Sequence, residues 1–171
     1  MQIEIRKFEA ADIPKKVEWI NNPENNQFLH YDLPLEVEKT QVWFSRVQDR
    51  TDRYDGVILA DGVPCGTIGL LNIDMRNRKA EYYIAMGETS LKGKGVSTEA
   101  TRQMLRYAFE ELGLNRVYLY TETENIPAQR LFEKTGFVRE GQIREDLFSR
   151  GRFVDRFVYG ICRDDYVKAQ A

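Results

Sequence analysis

Two glycines flanked by lysines form the segment of this sequence whose residue types and spacing point most directly to chemistry. Lys92, Gly93, Lys94 and Gly95 lie directly before a run of residues that favours a helix. The first amides of a helix lack acceptors within the helix, and the helix dipole makes that end positive, so an exposed helix start can bind phosphate. The lysine ammonium groups add positive charge. The pattern therefore indicates a phosphate-binding loop.

Two common phosphate-binding motifs are excluded by the residues that follow the glycines. A Walker loop requires a lysine and then a serine or threonine after its last glycine, whereas Val96 follows Gly95 here. A dinucleotide fingerprint requires a third glycine at the position that Thr98 occupies. A tight turn without a ligand is the remaining alternative, and the glycines and lysines alone do not decide between a turn and a phosphate site.

The length, composition and charge of the chain restrict the class of protein. Its 171 residues, 42% of them hydrophobic, predict a single domain over residues 1–171. No run approaches the roughly 18 apolar residues of a membrane span, and the first residues do not resemble a secretory signal, so we expect a cytoplasmic protein without a membrane partner. A net charge of −2 does not favour a nucleic-acid-binding surface. The single histidine and the two distant cysteines predict no metal site.

The hydrophobic periodicity positions the glycine loop within an α+β domain of element order βααβββαβαββ. Helices are predicted after Asp12, which is expected to cap the first of them, and at 36–48, 95–112 and 126–136. The predicted strands lie at 3–8, in two segments of 54–74 on either side of Asp61-Gly62, and at 78–86, 116–123, 137–148 and 152–162. The loop therefore connects a strand to a long helix.

The loop and a second segment farther along the chain together resemble the two signature segments of the GCN5-related N-acetyltransferases, the GNAT family. That family's loop pattern, Gln/Arg-x-x-Gly-x-Gly/Ala, falls on Lys92, Gly95 and Ser97, with conservative departures at Lys92 and Ser97. The second segment, "NIPAQRLFEKTGF", matches at Asn125, Ala128, Leu131, Phe132, Lys134, Gly136 and Phe137. The resemblance covers the whole chain and is closest to the branch with bacterial spermidine and ribosomal-protein alanine acetyltransferases. It implies a central mixed, mostly antiparallel sheet flanked by helices.

The resemblance implies acetyl-CoA as the acetyl donor. The pyrophosphate would lie on the amides of the loop, which are those of Lys92, Gly93, Lys94, Gly95, Val96 and Ser97. In this family the strand before the loop diverges from its neighbour, and the pantetheine arm pairs with its backbone, here at Ile84, Ala85 and Met86. Asn125, Phe132 and Lys134 would close over the arm and the adenine end, although Lys134 is equally well explained as a solvated helix charge.

Acetyl transfer requires a neutral amine, stabilisation of the developing oxyanion and a proton for the leaving thiolate. An aliphatic amine of pKa about 10 costs roughly 4 kcal/mol to deprotonate at neutral pH, so a base is valuable. Glu81 resembles the glutamate that several family members have in this strand, and strand alternation places Tyr83 on the same face; both are predicted to be catalytic. The alternative is that Glu81 pairs with an arginine as ordinary sheet surface.

The general acid is not identified by the resemblance. Relatives place a tyrosine or a serine at the positions of Phe132 and Ala128, neither of which can donate a proton. Tyr83, Tyr118, Tyr120 or water remain as alternatives.

The amine is expected to bind between the loop at 24–35 and the closing hairpin. His30, Tyr31, Asp32 and Asp146 are the predicted contacts, and the acidic residues favour a cationic acceptor. The predicted function is transfer of acetyl to a primary amine of a small molecule, a polyamine or an amino sugar, by direct attack in a ternary complex. Two alternatives stay open: acetylation of a protein N-terminal amine of the ribosomal-protein type, and a non-catalytic acetyl-CoA-binding regulatory domain. The aromatic hairpin could also pair with a second copy in a homodimer.

Overall fold

The structure of the protein is a computed structural model that describes residues 1–170, and one seven-stranded sheet forms its centre. The strands are β1 (Ile3–Lys7), β2 (Tyr54–Ala60), β3 (Val63–Asp74), β4 (Lys79–Met86), β5 (Arg116–Glu122), β6 (Val138–Ser149) and β7 (Arg152–Cys162). They lie in the order β1-β2-β3-β4-β5-β7-β6. All neighbours are antiparallel except β4 and β5, which are parallel.

Five helices cover the two faces of the sheet. They are α1 (Ile13–Asn21), α2 (Val37–Val47), α3 (Val96–Arg106), α4 (Ile126–Lys134) and α5 (Arg163–Gln170). Val57 of β2 packs in a cluster with residues of α1 and α2, whereas the next residue, Ile58, packs in the cluster that contains residues of α3 and α4. Because successive strand residues point to opposite faces, α1 and α2 lie on one side and α3 and α4 on the other.

The predicted fold class and the order of the first eleven helices and strands are confirmed, and two details of the sequence prediction are wrong. The helix α5 was not predicted, because it contributes one buried side chain, Tyr166, which stacks on Phe109 at 4.8 Å between ring centroids. Asp12 does not cap α1. It ends a 3-10 turn in a helical conformation, and its carboxylate instead accepts hydrogen bonds from the Glu9 amide and the Arg6 guanidinium, each at 2.8 Å.

No helix within residues 1–170 combines the length and the apolar character that crossing a bilayer requires.

Candidate active site

The two parallel strands at the centre of the sheet diverge. β4 and β5 pair only at Lys79 with Arg116, Ala80 with Val117 and Glu81 with Tyr118. Beyond these pairs β4 stays with β3 as far as Met86, and β5 stays with β7 as far as Glu122. The β5-facing edge of β4 from Tyr82 to Met86 therefore has backbone groups without a ladder partner, and such groups require another partner when they are removed from water.

The glycine loop lies at the open end of this gap, between β4 and α3. Gly93 and Gly95 have φ angles of 76° and 80°, and Gly95 directly precedes α3, so both occupy the left-handed region that favours glycine. Lys92 and Lys94 donate their amides within the loop, at 3.2 and 3.3 Å.

Five further amides at the start of α3 have no acceptor among residues 1–170. They belong to Gly93, Gly95, Val96, Ser97 and Thr98. No side chain caps this helix start, and residues 92–95 are exposed to solvent. Several free donors at the positive end of a helix form an anion site.

The face of the sheet covered by α1 and α2, called here the α1–α2 face, carries the side chains that meet at the start of the gap. Tyr82 bonds to Thr101 of α3 on the opposite face, at 2.8 Å, so its neighbours Glu81 and Tyr83 point to the α1–α2 face. Tyr118 is beside Glu81 in register and therefore shares this face, as do Tyr120 and Glu122 farther along β5.

Arginines neutralise three carboxylates on the α1–α2 face. The pairs are Arg53 with Asp55, Arg150 with Glu122 and Arg156 with Asp146, at 2.6 to 2.7 Å. Glu81 makes no ion pair with any described residue. It is half-buried, and burial raises its pKa although the nearby charge of Arg156 offsets part of the effect. A carboxylate with a raised pKa is a stronger base while still ionised near neutral pH.

Tyr83 points away from the gap. Its hydroxyl donates to Asp55 of β2 at 2.6 Å, and its ring lies across Gly69 of β3. A Cβ atom at Gly69 would lie 2.7 and 2.8 Å from two ring carbons, so this crossing requires glycine there. Burial and the Asp55 carboxylate raise the pKa of Tyr83 well above 10. The proton of Tyr83 is therefore held between β4 and β2.

A buried carboxylate connects three separate segments beside the gap. Glu122, at the end of β5, is 2% exposed and accepts from Arg150 Nη2 at 2.6 Å, and His30 Nε2 lies 2.7 Å from its other oxygen. Arg150 also donates to the carbonyl of Gln27. Burial alone would raise the pKa of Glu122, but the hydrogen bonds and charges of Arg150 and His30 outweigh it and lower the pKa. The loop at 24–35 and the hairpin turn are thus fastened to β5.

Known proteins with this arrangement were identified by comparison. Residues 2–138 match the model of the acetyltransferase (GNAT) domain family. The chain belongs to the GNAT acetyltransferase family. Its donor substrate is accordingly acetyl-CoA, and the protein is an acetyl-CoA-dependent N-acetyltransferase. Residues 1–170 contain no group of three or more histidine, cysteine, aspartate or glutamate side chains that could hold a metal ion.

The names of individual relatives give different amine substrates. YdaF of Bacillus subtilis (strain 168), provisionally named a ribosomal N-acetyltransferase, is 40% identical over 111 residues, which is 64% of this chain and 59% of that protein. A spermidine N(1)-acetyltransferase of Vibrio cholerae is 30% identical over 156 residues, covering 90% of this chain and 89% of the relative. A crystal structure of the spermidine N-acetyltransferase from Vibrio cholerae, with CoA and spermine, superposes with a TM-score of 0.90 at 26% identity over 97% of this chain and 98% of that one.

The three residues predicted to close over acetyl-CoA have different surroundings in this GNAT domain. Asn125 caps α4, since its side-chain oxygen accepts from the Ala128 amide at 3.3 Å. Phe132 is 6% exposed and packs among the rings of Tyr82, Phe137 and Tyr159. Lys134 is exposed and makes no ion pair with the described residues. Their contacts with acetyl-CoA stay predictions.

The four predicted acceptor contacts do not form one cluster of free side chains. Tyr31 and Asp32 are exposed, and His30 is engaged by Glu122. Asp146 was predicted to bind a cationic amine, but the guanidinium of Arg156 already occupies its carboxylate at 2.7 Å. The sequence analysis did not predict the pair of Glu122 and Arg150. A glutamate at the end of a strand and an arginine in a distant turn show no sequence pattern that would indicate their contact.

Proposed function

We propose that residues 1–171 form one catalytic domain that transfers acetyl from acetyl-CoA directly to a primary amine of a small molecule in a ternary complex. The observation that carries the proposal is the divergence of β4 and β5 immediately after Glu81 and Tyr118, with the free amides of the glycine loop at its open end. The proposal assigns the binding of the donor to backbone groups and the proton transfers to side chains of the α1–α2 face.

The residues present fit the donor. The amides of Gly93, Gly95, Val96 and Ser97 would hold the pyrophosphate, and the free edge of β4 at Ile84, Ala85 and Met86 would pair with the pantetheine arm. Bound acetyl-CoA supplies the activated acetyl group. An amide of the same β4 edge would polarise its carbonyl.

Glu81 takes the proton of the ammonium group in this proposal. It makes no ion pair with any described residue, and its raised pKa brings its basicity closer to that of the amine. Tyr118, its partner in register, is the acid. Burial and the charge of Glu81 raise the pKa of Tyr118, so its hydroxyl keeps its proton at neutral pH and can donate it to the thiolate.

One observation supports a small acceptor. The spermidine acetyltransferase that resembles this chain does so over nearly its whole length. Acetylation of a protein N-terminal amine is the second candidate, favoured by the 40% identity with YdaF, which covers only part of both chains.

A thiol-release assay tests the proposal. The purified protein and acetyl-CoA are combined with spermidine, glucosamine or a peptide with a free N-terminus, and released CoA thiol is measured. We expect release with a small amine and its loss in Glu81→Gln, whereas Glu4→Gln, an exposed glutamate of β1, retains it. Thiol release with the peptide but with neither small amine would show that the acceptor is a protein N-terminal amine. No release with any amine would favour the non-catalytic alternative.

A further inference from the structure

The α1–α2 face is closed on one side of Glu81 and open on the other. On the β3 side, the Tyr83 side chain extends across the sheet and donates to Asp55 of β2 at 2.6 Å. On the β5 side, the Tyr120 ring is 37% exposed, and no helix covers it. When the amine of an acceptor reaches Glu81, the room for its remaining atoms therefore lies over Tyr120.

Arg156 of β7 borders this open side. It is opposite Glu122 of β5 in register, so it shares the α1–α2 face. The carbon of its guanidinium lies 4.8 Å from the centre of the Tyr120 ring, and that ring lies 6.0 Å from the ring of Tyr118. Tyr118 is in register with Glu81. Two aromatic rings thus lie between a fixed cation and the proposed base.

Asp146 holds Arg156 in this position. The Nε and Nη2 atoms of Arg156 both lie 2.7 Å from Oδ2 of Asp146, and both side chains are about three-quarters buried. The positive charge still acts on the base, because it offsets part of the increase in the pKa of Glu81 that burial causes. The third nitrogen, Nη1, makes no hydrogen bond within residues 1–170 and can donate to a ligand oxygen.

We propose that Arg156 determines acceptor specificity by selecting an amine that carries a hydroxyl group, and not a second ammonium group, near its reacting nitrogen. A second ammonium over Tyr120 would meet the guanidinium, and Asp146 is already occupied, so like charges would repel in a partly buried site. A hydroxyl oxygen can instead accept from the guanidinium. The inference rests on the proposed function and narrows it, since it favours an amino sugar or amino alcohol over a polyamine.

A matched pair of acceptors tests the inference. The compounds 4-amino-1-butanol and 1,4-diaminobutane have the same length and differ in a hydroxyl group against a second amine, which is protonated at pH 7. Thiol release at saturating acetyl-CoA gives kcat/KM for each. We expect the unmodified protein to prefer the amino alcohol by about tenfold, the effect of one like charge at short range in a partly screened site.

Three variants assign the preference to the charge of Arg156. Arg156→Gln should remove most of the preference by raising kcat/KM for the diamine, whereas Arg156→Lys keeps the charge and should keep the preference. Arg152→Gln is the matched control, because it removes one positive charge from the same strand, where Arg152 pairs with the exposed Glu124. A merely structural role of Arg156 would lower kcat/KM for both acceptors and leave their ratio unchanged.

Salt provides a second measurement that does not depend on the folding of a variant. Raising the ionic strength from about 0.1 to about 1 M shortens the screening length from about 10 to about 3 Å. The preference of the unmodified protein for the amino alcohol should then decrease severalfold. Effects of salt on the binding of acetyl-CoA are common to both acceptors and cancel in the ratio.

The outcomes separate this inference from the proposed function. Equal kcat/KM for the two acceptors, or a preference for the diamine, would overturn the inference and leave acetyl transfer to a small amine intact. A preference that persists in Arg156→Gln, that is lost as fully in Arg152→Gln, or that salt does not change would overturn the role of Arg156. The lack of thiol release with any amine would contradict the proposed function, and the inference would fall with it.

Discussion

Glu81 of β4 and Tyr118 of β5 are the last pair of residues in register before the two strands diverge. A carboxylate with a raised pKa and a protonated phenol thus stand side by side where the free edge of β4 begins. This juxtaposition places the proposed base and the proposed acid next to the position where the acetyl group is expected, and it leads to the first two predictions.

Replacement of Glu81 by glutamine should lower kcat/KM by about 100-fold or more, because an amine of high pKa loses its general base. In the unmodified protein, kcat/KM should fall as the pH decreases through the pKa of Glu81, which lies above 4.5. That acid limb should be missing from the pH profile of Glu81→Gln. An identical profile in both proteins would remove Glu81 from the mechanism.

Replacement of Tyr118 by phenylalanine should lower kcat by about tenfold. The loss is modest because a thiol of pKa about 8.5 leaves without much help. Tyr120→Phe is the matched control, since the Tyr120 ring lies on the same face at 6.0 Å from that of Tyr118. Steady-state rates at saturating acetyl-CoA measure kcat for both variants. A loss in Tyr120→Phe alone would transfer the acid role to Tyr120.

Replacement of Gly95 by valine should weaken CoA binding at least about 100-fold, because a β-branched residue resists the left-handed conformation and displaces several amide donors at once. Calorimetry with CoA measures the change. Gly113→Val is the control, because Gly113 also has a positive φ, of 68°, but lies beyond the opposite end of α3 from the glycine loop. Unchanged affinity in Gly95→Val would contradict the assignment of the loop.

Replacement of Lys16 by methionine should raise the free energy of unfolding at pH 7 by about 1–3 kcal/mol. The folded protein holds the pKa of Lys16 near 8, below its ordinary 10.5, so the charged form costs stability below pH 8. That cost disappears as the pH rises from 8 to 10.5, and the difference between the two proteins should vanish there. Urea unfolding of both proteins at pH 7 and pH 10 measures this difference in the free energy of unfolding.

Lys15→Met is the control for this experiment, because Lys15 is the more exposed neighbour in α1. A stabilisation as large in Lys15→Met would mean that surface hydrophobicity, not relief of a buried charge, is responsible.

Replacement of Glu122 by glutamine should lower the free energy of unfolding at pH 7 by about 1–2 kcal/mol, since Arg150 loses its charged partner. The folded pKa of Glu122 is below its ordinary value, so its contribution is complete above that ordinary value of 4.5. It is lost as the pH falls through the lower folded pKa. The unfolding curves of the unmodified protein and of Glu122→Gln should therefore differ clearly at pH 7 and much less at pH 3. A difference that persists undiminished at pH 3 would contradict the role of the ionised carboxylate.

Local patterns in the sequence predicted those parts of the site that depend on neighbouring residues. Gly93 and Gly95 before an amphipathic helix indicate a helix start with free amides, and this requires only the conformation of a few residues. Strand alternation likewise placed Glu81 and Tyr83 on one face. The capping role of Asn125 could also have been found, since Asn-Ile-Pro is a typical helix start.

The chain by itself therefore determined the order of the first eleven helices and strands and the faces of its strands, because both follow from local conformational preference and periodicity. It also predicted that the glycine loop binds phosphate. The tertiary structure alone decided which charges meet. Glu122 pairs with His30 and Arg150, which lie 92 and 28 residues away, and Arg156 rather than a ligand occupies Asp146. Such pairings depend on how the loop and the closing hairpin pack onto the sheet, and burial then fixes their energies, so no spacing in the sequence reports them.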